Sequence, residues 1–143
     1  MSDKRQLKSY RVILKTYQHD IDRLSAELSG IRAEQAGLQG KIDDLQHRRD
    51  TEGFAASLEA APFVAGFLQA IAAEQAALNG RLTSLEEVAE HLEEQVRSKF
   101  LELQSWRLTC DRLQARIDYD QRQRDSAEMD EVARNIFAFN PEM

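Results

Sequence analysis

The sequence predicts an all-α fold: a long antiparallel two-helix coiled-coil hairpin whose second helix is the longer. Three observations predict it. Apolar residues recur at alternating spacings of four and three in two long runs, the runs flank a non-periodic stretch around residues 52–61, and only six glycines and two prolines interrupt 143 residues. A repeat of about 3.5 residues lays these side chains along one stripe of a helix, which is buried only against another helix.

Helix one is expected over about residues 3–51, with Ser2 or Asp3 as N-cap and Gly53 available to turn the chain. Its seam reads Leu7, Tyr10, Leu14, Tyr17, Ile21, Leu24, Leu28, Ile31, Gln35, Leu38, Ile42 and Leu45. A connection of about ten residues, 52–61, is short enough for the chain to fold back on itself. Helix two is expected over about 62–138, because Pro62 is tolerated in a first turn and Asn140-Pro141 follows the last periodic residues. Its seam runs Leu68, Ile71, Gln75, Leu78, Leu82, Leu85, Ala89, Leu92, Val96, Lys99, Leu103, Trp106, Cys110, Leu113 and Ile117. At about 1.5 Å per residue the two helices reach roughly 70 Å and 115 Å. The whole chain reads as one coiled-coil hairpin domain.

The polar seam positions suggest a register. Gln35 and Gln75 satisfy each other's amides if facing residues sum to about 110, whereas either alone opposite leucine lacks a partner. Helix one then ends opposite roughly residue 103, leaving about thirty residues of helix two single. Apolar side chains on a lone helix mark a partner contact or self-association. Glycines 30, 37, 40, 66 and 80 occupy outer heptad positions, where each costs about 1 kcal/mol of helix propensity relative to alanine. They are either tolerated drift or a mark of an end that bends or frays.

Several functions are disfavoured by the residues themselves. A net charge of −6 opposes general nucleic-acid affinity. Basic residues do cluster at Lys4, Arg5, Lys8, Arg11 and Lys15, and acidic ones at Glu86, Glu87, Glu90, Glu93 and Glu94, as a solvated helix face would carry them. His19, His47 and His91 are isolated, so no metal set is expected. Gly37 and Gly40 lie inside a heptad run, not in a phosphate loop between strand and helix. The carboxylates fall on convex, wet faces, and neither an enzyme nor a cofactor is expected. Cys110 lies on the seam and reads as packing. Met1 to Arg5 lead into Gln6 and Lys8 rather than an apolar core, and the uncharged stretch Ala60 to Ala73 is short for a bilayer. A cytoplasmic protein is expected.

Three segments in order carry a resemblance: Phe67-Leu68-Gln69, then Leu103-Gln104-Ser105-Trp106, then Met129-Asp130-Glu131-Val132-Ala133-Arg134. With them the second half of the chain resembles the FliJ family of flagellar type III export proteins, while the first half is similar in heptad character and length. The resemblance implies a stalk in the centre of a hexameric export ATPase, promoting its assembly, linking it to the membrane export gate and escorting export chaperones. It implies a location at the cytoplasmic face of the inner membrane, peripheral and through partners only. The family's gate-contacting pattern maps to Leu38, Ile42, Leu45, Phe67 and Ile71. It departs at Arg49, aromatic in the family, and at Leu78, a histidine there, and Val132 replaces an aromatic residue. For ATPase binding the expected residues are Leu7, Tyr10, Tyr17, Trp106, Leu113, Ile117 and Met129, with packing of Tyr10 against the Trp106 region as the competing account. The alternatives are an injectisome stalk of the same shape and a structural, self-associating coiled-coil scaffold.

Overall fold

The computed structural model describes residues 2–54 and 58–139; the expected helix stop at Asn140-Pro141 and the middle of the connection, 55–57, lie outside the described residues. The described chain is all-α, with α1 at Asp3–Glu52 and a longer α2 at Ala61–Phe139. Ser2 caps α1, its Oγ accepting the Arg5 N–H at 3.3 Å, which supplies one of the otherwise unpaired N–H groups of a first turn. Pro62 stands in the first turn of α2, where a missing N–H costs nothing.

Gly53 closes α1 without the left-handed conformation that a C-terminal glycine often supplies. Its N–H donates to the Arg49 carbonyl at 3.0 Å, and a Cβ built on it would stand 2.3 Å from that oxygen. Glycine is needed there for room.

The chain divides into two compact units, residues 21–98 and residues 1–20 with 99–143. In the first, α1 and α2 form an antiparallel hairpin, with Ile21, Leu24, Leu45, Ile71, Leu85, Ala89 and Leu92 buried along the seam. In the second, the start of α1 lies antiparallel to α2 around Leu7, Cys110 and Leu113, with Tyr10, Leu14 and Ile117 packed against them. The heptad positions are therefore the buried and half-buried ones in each unit.

The register differs from the expected one. In the hairpin unit Arg81 bonds Glu34 at 3.0 Å and Gln75 bonds Gln46 at 3.4 Å. In the other unit Arg116 bonds Asp3 and Lys99 reaches Asp20. Facing residues sum to about 120 in both, so Gln35 and Gln75 do not meet. The reason is geometric: reversing one helix reverses its heptad, so each first seam position packs against the partner's second. Gln35 and Gln75 are both first positions. With Asp3 at Arg116, α1 extends along α2 to about residue 116 instead of 103, and the single-helix end is correspondingly shorter.

A Cβ added at Gly30, Gly37, Gly40, Gly66 or Gly80 would meet nothing within 4 Å. Gly37→Ala is accordingly expected to raise stability by about 0.5–1 kcal/mol, seen as a higher urea midpoint at unchanged slope.

Candidate functional site

The paired part of the unit formed by 1–20 and 99–143 holds six of the seven residues expected to bind an ATPase, and all six sit on its seam. Leu7 and Leu113 are buried, and Tyr10, Tyr17, Trp106 and Ile117 are half-buried. Tyr10 packs on Trp106 with ring centroids 5.1 Å apart at 60°, and its hydroxyl accepts the Gln6 amide at 2.7 Å. Lys99 lies over the Tyr17 ring at 5.2 Å, and a hydrogen bond to Glu102 raises the Tyr17 hydroxyl above its ordinary pKa. These contacts are what packing requires.

Met129, the seventh, stands apart. Residues 121–139 are all exposed, and Met129, Val132, Ile136 and Phe139 form one stripe at spacings of three, four and three. This stripe is no continuation of the seam. The seam positions past Ile117 are Asp120, Arg124, Ala127, Glu131 and Arg134. At about 100° per residue the new stripe is turned by roughly two-fifths of a turn from it. The intramolecular seam ends where α1 ends, and a second apolar face begins.

In the hairpin unit the expected gate residues point inward. Leu45 and Ile71 are buried, and Leu38, Ile42 and Phe67 are half-buried, with the Arg48 guanidinium 5.4 Å from the Phe67 ring centre. The exposed apolar side chains at the bend are others: Phe54 at 76%, Leu58 at 94% and Phe63 at 81%. Heptad reasoning passed over them because they fall in the non-periodic stretch; large apolar residues off the repeat were the signal.

From Ala60 to Gly80 the only charged residue is Glu74, and α2 contains a window long and apolar enough to cross a membrane by length and composition. The same stretch is paired with an α1 segment carrying Lys41, Asp43, Asp44, Arg48, Arg49 and Asp50. Charges on an associated helix oppose insertion at several kcal/mol each, so this arm reads as half of a hairpin.

A polar cluster crosses the hairpin midway. Arg32 donates to Glu86 at 2.8 Å, to Gln35 at 2.9 Å and also to Glu93, and Gln35 donates to Glu86 at 2.8 Å. Thus Gln35 finds a carboxylate instead of a second amide. The Gln35 hydrogen bond, then the Arg32 one, lower the Glu86 pKa from its ordinary 4.5. A depressed carboxylate stabilises the folded state fully above its unfolded pKa and loses that contribution as pH falls through the folded value. Urea midpoints should therefore fall less between about pH 6 and pH 3 in Glu86→Gln than in the native chain.

Burial raises the Cys110 thiol pKa, which keeps it protonated. Among the described residues no group of three or more His, Cys, Asp or Glu is placed to hold a metal ion. Grooves run along the helix pair, one lined by Gln6, Tyr10, Thr109, Arg112, Leu113 and Arg116, another by Lys4, Leu7, Lys8, Arg11, Gln114 and Ile117. No match to the chain was found among protein families, curated proteins or solved structures.

Proposed function

We propose that the chain is a non-enzymatic adaptor of type III protein export, a stalk that binds a hexameric export ATPase through its single-helix end and promotes assembly of the ring. The observation that carries this reading is the apolar stripe Met129, Val132, Ile136 and Phe139 on a helix whose own seam has already ended. Such a stripe suits insertion of a helix into a groove. The resemblance in Leu103-Gln104-Ser105-Trp106 and Met129-Asp130-Glu131 supports the choice of partner. Binding only the assembled ring would stabilise it by mass action, so activation without a catalytic group is sufficient.

In this reading the bend of the hairpin contacts the membrane export gate through the exposed Phe54, Leu58 and Phe63, with Phe67 at their margin and the buried Leu45 and Ile71 supporting it. Export chaperones would be escorted on the remaining helix faces, and the protein would sit at the cytoplasmic face of the inner membrane through these partners. Co-purification with the export ATPase of the same cell, and a rise in its hydrolysis rate on addition of the purified chain, test the reading. No complex and no change in hydrolysis would defeat it.

A further inference from the structure

We propose that two copies of the chain pair antiparallel about a two-fold axis at Gln121, each laying its single-helix end along the basic face of the other's helix pair. Two features of the unit formed by 1–20 and 99–143 support that pairing.

The first is a charge palindrome. The segment reads Asp118-Tyr119-Asp120-Gln121-Arg122-Gln123-Arg124. Antiparallel pairing centred on Gln121 sets Asp118 against Arg124 and Asp120 against Arg122, twice over by symmetry. Pairing centred one residue away keeps only one such pair, Asp118 with Arg122 about Asp120 or Asp120 with Arg124 about Arg122. Leaving residues 121–124 exposed in one copy leaves this pattern unused.

The second is the fit of what lies beyond. With the axis at Gln121, Met129 to Phe139 run beside residues of about 113 to 103 on α2 of the second copy, hence beside about 6 to 16 of its α1. That α1 surface carries Lys4, Lys8, Arg11 and Lys15, exposed and spaced four, three and four on one helix face. Between Lys4, Lys8 and Arg11 runs a groove floored by Leu7 and Ile117. The incoming helix brings the matching sign: residues 125–139 hold Asp125, Glu128, Asp130 and Glu131 against Arg134 alone. Met129 and Val132 would cover the groove while Asp125, Glu128, Asp130 and Glu131 lie level with Lys4 and Lys8. Both segments span about 15 Å, so neither overhangs the other.

The dimer gives the exposed stripe an occupant before any other partner arrives, and it would compete with a ring for the same helix. It does not rest on the identity of that partner: the test needs the full chain alone, whereas the export reading is tested with the ATPase.

Sedimentation equilibrium of the full chain should give a dimer at tens of micromolar, weakened by salt. Arg122→Asp with Arg124→Asp, or Asp118→Arg with Asp120→Arg, should each raise the dissociation constant about tenfold or more at unchanged helicity. Mixing the two variants should restore a dimer, because every facing pair is then opposite in sign. Gln121→Cys should form an intermolecular disulfide under mild oxidation, and the buried Cys110 should not. A monomer at about 100 μM, a dimer indifferent to both reversals, or mixed variants that remain apart would overturn the proposal.

Discussion

Leu103→Ala is expected to lower the unfolding free energy by about 3 kcal/mol, the largest stability effect of any single leucine truncation in the chain. Leu103 is only 2% exposed and is the largest fully buried side chain among the described residues. Removing its branched end loses the transfer energy of those carbons and leaves a space that two helices, fixed by seam contacts on either side, can close only in part. Leu101, two residues away and 59% exposed, provides the control. Its truncation should move stability by no more than about 0.5 kcal/mol. Thermal or urea unfolding followed by circular dichroism measures both. A Leu103→Ala loss no greater than that of Leu101→Ala would mean that the seam is not packed as described.

Ile136→Asp is expected to do the reverse: leave unfolding unchanged and abolish partner binding. Ile136 is 51% exposed and touches no second helix, so a charge there meets water. In a complex it would be buried without a counter-charge in the middle of the Met129 to Phe139 stripe, at a cost of several kcal/mol. Titration against an export ATPase, the partner proposed above, should show at least about a hundredfold weaker binding, which corresponds to about 2.7 kcal/mol. Tyr10→Ala separates the two kinds of site. Its ring packs on Trp106, so it should lower stability before it affects any partner. Loss of ATPase binding by Tyr10→Ala at full helicity, with Ile136→Asp unimpaired, would move the contact from the single helix to the paired stem.

Helix one was expected over 3–51 and runs Asp3–Glu52; helix two was expected over 62–138 and runs Ala61–Phe139. Ser2 and Gly53 stand at the ends where cap chemistry puts them. The site residues were harder. Positions such as Leu45, Ile71, Leu7 and Leu113 were drawn from the repeat, and the repeat is what packing uses up. Exposed residues are the ones that break it: Phe54, Leu58 and Phe63 at the bend, and Val132, Ile136 and Phe139 beside Met129 on the second stripe.

Which residues are buried was determined by the sequence alone, because a 3.5-residue period is a local property of each helix and the hydrophobic stripe it makes has one way to leave water. Which residues face each other was decided only in the tertiary structure. Sliding one helix along another by a heptad buries nearly the same leucines, so the repeat hardly distinguishes registers. The choice falls to contacts between distant residues, here Arg32 and Gln35 with Glu86 and Asp3 with Arg116. Antiparallel heptad geometry excludes a sum of about 110, and those contacts fix it at about 120, which shortens the single-helix end. They also separated the seam, which ends with α1, from the apolar stripe that begins at Met129.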